Sequence, residues 1–292
     1  MKMIRASAQL FVFVAMVASL MVVPAAYGDE AEDAFQTGLK AYNVKDYPRA
    51  FQFWQESAGV GHAQAQYLLG VMFEEGLGVA QNHTKSVDWY SKAAEQGDVE
   101  SQDSLAIKYE KGEGVAKSIE KALSWYRKAA AQGYGSSQNN LGKRYFDGNG
   151  VPQSDKNAIL WFRLAAEQGL AEAQNNLALM YLRGHGVPQS DAEAFWWFRE
   201  AAEQGDSGAQ NWLGLMHLNG MGVPTNYADA ITLFRLAAEQ GDAYAYYNIG
   251  VMYQNGFGVS RSDEDAIMWF NKAAEQGNPN TKKALRDMKG SG

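Results

Sequence analysis

Four histidines, a recurrent pair of glycines and a surplus of carboxylates are the residues of this chain whose types suit chemistry, and their spacing limits which chemistry is open. His62, His83, His185 and His217 form no H-E-x-x-H motif or other spacing with strong zinc meaning. The chain has no cysteine, which removes the thiol nucleophile and the disulfide together. Glycine pairs such as Gly184 and Gly186 suggest a phosphate-cradling loop. They follow helical patterns rather than strands, however, and complete neither G-x-G-x-x-G nor G-x-x-x-x-G-K-[ST]. Neighbouring acids such as Glu74 and Glu75 belong to a solvated set in which no glycosidase pair is defined. No catalytic, metal or cofactor residue is therefore expected, and the chain reads as a non-enzyme.

The elements that must position any other kind of site are repetitive. Glycines at 61, 97, 133, 169, 205, 241 and 277 stand 36 residues apart, and G-x-G-V returns in each of the six units they bound, at Gly76, Gly112, Gly148, Gly184, Gly220 and Gly256. Each unit reads as two amphipathic helices. In the fourth, Leu177, Ala178, Tyr181 and Leu182 share one helical face, and Ala194, Trp197, Phe198, Ala201 and Ala202 share another after the loop. Gly76 and Gly78, like Gly184 and Gly186, make the turn. Ser118, Ser154, Ser190, Ser262, Asn82 and Asn226 start the second helix as side-chain caps. Small residues such as Gly70, Gly142, Gly214 and Gly250 are expected to let first helices approach one another. Trp89, Trp125, Trp161, Trp197 and Trp269, with the aromatic residue after each, supply the large apolar volume. The predicted organisation is a leader over 1–28, a shortened capping pair over 29–60, six complete repeats over 61–276 and a C-terminal capping helix with a tail over 277–292.

The leader reading rests on Lys2 and Arg5, the apolar run Leu10 to Val23, and the small residues around Ala26-Tyr27-Gly28 before Asp29. The run is shorter than the roughly 18 to 20 residues of a bilayer span, so cleavage rather than stable transmembrane insertion is expected, with a periplasmic or secreted destination. Removing the leader takes two of the 26 basic residues and none of the 33 acidic ones, which moves the formal charge from -7 to -9. No basic block remains, and nucleic acid is excluded as an expected partner.

The period of 36, the G-x-G-V loop, the W-[FY]-x-x-A-A block and the terminal AEQG closely resemble Sel1-like repeats, relatives of tetratricopeptide repeats. The resemblance covers 61–276 fully and 35–60 and 277–289 in part. It implies an all-α fold, a right-handed α/α superhelical solenoid of 36-residue helix pairs whose first helices line a concave face. It also implies a role in binding or organising other proteins. Exported bacterial members include envelope adaptors, regulators of surface or polysaccharide machinery, and host-interaction proteins. The cysteine-rich branch of the family is not matched.

On that concave face the resemblance places a ladder of Tyr67, Asp103, Asn139, Asn175, Asn211 and Tyr247. Carboxamides so spaced suit a peptide backbone or hydroxylated ligand groups, and equally suit hydrogen bonding within the repeats. Lys143 follows the ladder in the third unit. Tyr244 replaces smaller or polar residues, and Trp212 stands where other units carry Leu68, Ser104, Asn140, Asn176 and Asn248. The expected partner-binding set is Tyr67, Asn139, Lys143, Asn175, Asn211, Trp212, Tyr244 and Tyr247, with a protein or peptide as partner and a chain monomeric when free. A polysaccharide- or peptidoglycan-binding module is the alternative reading. His217 replaces an aromatic found at Phe73, Tyr109, Tyr145, Tyr181 and Tyr253 and is read as a partly buried packing group. His62 and His83 are read as polar surface or cap residues.

Overall fold

Each half of the 36-residue period carries its own helix start and stop, and the chain folds accordingly. The computed structural model describes residues 28–289, so the leader reading lies outside the described residues except at Gly28. Two units result, the first ending at Gln132 and the second beginning at Gly133. The first contains α1 (Asp29–Asn43), α2 (Tyr47–Gly59), α3 (Ala63–Glu75), α4 (His83–Glu95), α5 (Val99–Lys111) and α6 (Ile119–Ala131). The second contains α7 (Gly135–Asp147), α8 (Asp155–Glu167), α9 (Ala171–Arg183), α10 (Asp191–Glu203), α11 (Ser207–Asn219), α12 (Tyr227–Glu239), α13 (Ala243–Asn255), α14 (Asp263–Glu275) and α15 (Thr281–Lys289). Within each unit a helix packs on its sequence neighbours, so each unit is an all-α solenoid of tandem helix pairs. No described helix is long and apolar enough to cross a membrane.

The local signals act as read. Ser190 Oγ accepts from Glu193 N–H at 3.2 Å to start α10, and Asn82, Ser118, Ser154, Asn226 and Ser262 cap the matching helices. Gly184 ends α9 with φ 70°, the left-handed conformation that spares glycine a steric penalty. Gly186 has φ 72° and a second constraint: a Cβ there would lie 2.7 Å from the Asp155 backbone at the start of α8. Glycine is required at that point because one repeat's loop touches the preceding repeat's second helix.

Two expectations about the core need correction. The small first-helix residues do not serve the approach of one first helix to another. A Cβ on Gly70 would come within 2.5 Å of the Tyr90 ring, and one on Gly142, Gly214 or Gly250 would strike Phe162, Phe234 or Phe270. The glycine makes a socket for the aromatic ring of its own repeat's second helix. In each Trp-aromatic pair, moreover, the second residue is the one that is sealed: Tyr90, Tyr126, Phe162, Phe198 and Phe270 are buried. Trp89, Trp125, Trp161, Trp197 and Trp269 are half-buried beside them. Successive helical residues lie about 100° apart, so only one of the pair can point into the socket. Lys92, Lys128 and Lys272 cover the open faces of Trp89, Trp125 and Trp269 at 3.9, 3.7 and 4.3 Å from the ring centres.

A glutamine relay ties consecutive pairs together. Gln174 of α9 donates to the Ala166 carbonyl at the end of α8 at 3.3 Å and accepts from Gln204 at the end of α10 at 2.8 Å. Gln66, Gln102 and Gln210 hold the same two bonds in their repeats. Each glutamine adds a second donor to a helix-end carbonyl that already accepts a backbone N–H, as Ala166 does from Gly169 at 2.9 Å.

Candidate functional site

The first helices of the second unit carry most of the side chains singled out for partner contact, and the structure separates them into two groups. Asn139 is 1% exposed and its Oδ1 accepts from Asn176 Nδ2 at 2.9 Å. Asn211 is 6% exposed and accepts from Asn248 at 2.8 Å. These two do not face a partner. In both cases the ladder carboxamide accepts from the residue that follows the ladder position in the next repeat, so its buried oxygen is satisfied. Asp103 is buried as well. Tyr67, in the first unit, and Tyr247 are half-buried against Tyr90 and Phe270 at 5.8 and 5.4 Å between ring centres, so packing uses one side of each.

Between these two bonded rungs the pattern is interrupted. Asn175 stands in the acceptor position, but the residue that should donate to it is Trp212, and Asn175 Oδ1 is buried without a hydrogen-bond partner. The indole of Trp212 stacks instead on Phe198, 5.9 Å away and 12° from parallel, with part of its surface open. Beside it Gly208 has no side chain to cover Asn175, whose amide would be 3.6 Å from a Cβ at that point. Tyr244, one repeat further on, is 52% exposed. Asp206 and Asp242 cap α11 and α13, each accepting a backbone N–H at 2.7 Å, and burial pushes both carboxyls above their ordinary range despite those bonds.

Lys143 belongs to a different feature. Other repeats place Val71, Ile107, Leu179, Leu215 or Val251 at its position, where an aliphatic side chain fills the groove beside the next first helix. Lys143 turns its ammonium out to Glu172 at 2.9 Å, and a cleft of about 220 Å³ opens between α7 and α9. Phe146, Phe162, Leu179 and Met180 make its apolar part, while Asn176 and Arg183 contribute polar groups. Sequence reasoning singled out Lys143 but missed its neighbours. The one signal available was a cation in an otherwise aliphatic column.

The histidines serve the fold. His62 is a cap, as one of its two readings had it, and a buried one: it precedes α3, Nδ1 accepts from Ala65 N–H at 3.3 Å, Nε2 lies 3.1 Å from Glu32, and the ring stacks on Phe35. His217 meets Phe195 edge-on at 5.5 Å, and its Nδ1 is 3.9 Å from Asp229, beyond hydrogen-bond reach. His185 Nδ1 lies 3.1 Å from Asp155 Oδ2. Among the described residues no group of three or more His, Cys, Asp or Glu side chains is placed to hold a metal ion. The arrangement offers apolar area, carboxamides and local charge, which is the chemistry of recognition.

The Sel1 repeat model matches this chain in seven consecutive stretches, residues 30–62, 63–98, 99–134, 135–170, 171–206, 207–242 and 243–278. Among solved structures, the chain is similar to a protective antigen present in uropathogenic Escherichia coli strains, described as displaying an SLR fold. The identity is 35% and the TM-score 0.78, over 88% of this chain and 56% of that one. It is also similar to a Sel1 repeat protein from Oxalobacter formigenes, at 31% identity and TM-score 0.76, over 85% of this chain and 97% of that one. The chain thus spans little more than half the length of the first relative. No curated protein matches it. Repeats that match from residue 30 to residue 278, with relatives above 30% identity over most of its length, place the chain in the Sel1 repeat family, whose fold is a non-catalytic scaffold for protein–protein contact.

Proposed function

We propose that this chain is an exported adaptor that docks a segment of another protein on the first helices of its second unit. The observation that carries the reading is the broken rung at Asn175 and Trp212. An asparagine at 212 would complete the ladder as Asn176 and Asn248 do; the indole there leaves a buried acceptor without its donor and keeps part of an aromatic surface open. Aromatic side chains with open area are the usual anchors of protein contact. Tyr244 adds a second half-exposed ring one repeat away.

Two substitutions test this while keeping residue types the repeat already uses. Trp212→Asn restores the donor, and Tyr244→Gln installs the residue found at Gln64. The double variant should melt no lower than the parent yet capture partner from envelope extract at least about ten-fold less well. Undiminished capture would sink the assignment of this face.

Export is supported by the basic start at Lys2 and Arg5, the apolar run Leu10 to Val23, and the small residues around Ala26-Tyr27-Gly28 before Asp29. The likeness to a protective antigen favours a role in envelope organisation, its regulation or host interaction. Fractionation of cells producing the native chain should find a product beginning at Asp29 in the periplasm or medium. An intact N-terminus retained in the cytosol would refute export.

A further inference from the structure

The interrupted rung has a charge as well as a shape. Gly208 stands in the column of Gln64, Glu100, Ser136, Glu172 and Tyr244, so a side chain is missing between the exposed Glu172 and Tyr244. The place its Cβ would take is 3.3 Å from Asp206 Oδ1, and 3.6 and 3.9 Å from Nδ2 and Oδ1 of Asn175. Trp212 lies one turn along the same face of α11, with part of its indole open. Asn175 Oδ1 has no donor, and Asp206 spends only part of its accepting capacity on the Ala209 and Gly208 N–H groups. Counted with their partners, the ionisable groups here are acidic. Lys143 neutralises Glu172. Asp206 and Asp242 have no ion-pair partner among the described residues, and Glu172 and Asp242 act on Asp206 as like charges. Neither α11 nor α13 carries a lysine or arginine, and Arg183 and His217 sit in the last turns of α9 and α11, at the far ends of those helices.

Capping does not require that charge. Asn82 and Asn226 cap their helices as neutral groups, and Tyr134 and Leu170 precede α7 and α9 with no side-chain cap at all. Burial, reinforced by Glu172 and Asp242, holds the Asp206 carboxyl above its ordinary range, so its support for the fold is full below its unfolded value and lost as pH rises through the folded one. We infer that the notch at Gly208 receives an arginine side chain of the docked segment, its guanidinium lying against Trp212 and pairing with Asp206. Three features select this occupant. A group with five donors and no acceptor meets oxygens that need donors, a permanent cation meets carboxylates that have no counter-ion, and a flat cation fits an open indole face better than a compact, strongly hydrated ammonium does. The inference rests on the adaptor reading above and names one residue its partner must present.

The test uses the whole chain and acetylated, amide-capped Gly-Ser hexapeptides with one central arginine, followed by NMR. The arginine peptide should shift the Gly208 amide and the Trp212 indole N–H saturably. Citrulline in its place keeps the shape without the charge and should bind roughly ten-fold more weakly; lysine keeps the charge without the plane and should bind at least about three-fold more weakly. Asp206→Asn keeps a capping side chain, should melt no lower than the parent at neutral pH, and should weaken arginine binding by roughly ten-fold. Gly208→Ser, which installs the residue found at Ser136, occupies the notch and should weaken it as well. Citrulline or lysine binding as tightly as arginine, or undiminished arginine binding to either variant, would overturn the inference. The outcome is separable from the adaptor test. Capture that depends on Trp212 and Tyr244 but is indifferent to Asp206→Asn and Gly208→Ser would refute the arginine and leave the docking face intact.

Discussion

At Gly184 and Gly186 the same residue type answers two different demands, and the energetic consequences differ. Alanine at either position must adopt a φ near 70°, which costs about 1–2 kcal/mol. At 184 the added Cβ meets Gln189 no closer than 3.3 Å, at its Cβ, with the backbone nitrogen at 3.4 Å; at 186 it lies 2.7 Å from the Asp155 backbone, which cannot rotate away. Gly186→Ala should therefore lose more stability than Gly184→Ala, by about another 1–3 kcal/mol, in urea unfolding. Glu100 offers a pH-dependent case. Burial, reinforced by Asp98 and Asp103, pushes its carboxyl from 4.5 up to about 7. A carboxyl raised in this way supports the fold fully below its unfolded value and loses that contribution as pH rises through about 7. Glu100→Gln should accordingly raise the melting temperature at pH 8 and change little at pH 4. A gain of equal size at both pH values would contradict this origin.

At the scale of the helix pair, the glutamine relay is the contribution that letters alone concealed. Gln174 joins α8, α9 and α10 through one amide, so Gln174→Leu should remove both bonds and cost about 1 kcal/mol in chemical unfolding, since Ala166 keeps the Gly169 N–H and Gln204 the Glu200 carbonyl. Gln204→Ala removes a single half-exposed partner and should cost less. Helices, caps and turn glycines were legible in the sequence because each acts within a few residues of itself: Ser190 on Glu193, Gly184 on the end of α9. The relay spans 30 residues, and which amide meets which carbonyl depends on how two helices lie together. The same limit hid the candidate site. Trp212 stood out as a large residue in a small place, but its consequence, the stranded Asn175 oxygen, is a property of a neighbour 37 residues away. Asn139 and Asn211 looked open for the converse reason: their donors, Asn176 and Asn248, come from the following repeat.

Across the whole chain the repeat keeps its register while changing the chemistry of one core column. Met72, Met180, Met216 and Met252 fill a position where the second repeat carries Lys108, only 2% exposed, bonded to Glu74 at 2.6 Å and Glu113 at 2.9 Å. Tyr90 donates to the same Glu74 at 2.7 Å, whereas the corresponding rings of the second unit are Phe162, Phe198, Phe234 and Phe270 and have no hydroxyl. The first unit is thus held partly by a buried ionic group where the second relies on methionine and phenylalanine, Arg144 excepted. Burial disfavours the Lys108 charge, but its bonds to Glu74 and Glu113 prevail and raise its pKa; the bond from Lys108 in turn holds the Glu113 carboxyl below its ordinary range. Glu113 therefore supports the fold above its unfolded value and loses that support as pH falls through its lowered folded value. At acid pH Lys108 stays charged, buried and increasingly unpaired, the costly state for such a group. Lys108→Met, which restores the residue of the other repeats and leaves Glu74 and Glu113 access to water, should lie within about 2 kcal/mol of the parent at neutral pH. Below pH 4 the variant should become the more stable of the two. Hydrogen exchange, corrected for intrinsic rate, should then show faster opening of α3 to α6 in the parent than in the variant, with α9 to α14 alike in both. Because repeat arrays sum local and nearest-neighbour terms, the effect should stay within the first unit; acid opening that is identical in parent and variant, or that spreads equally to α9 to α14, would show that Lys108 does not set it.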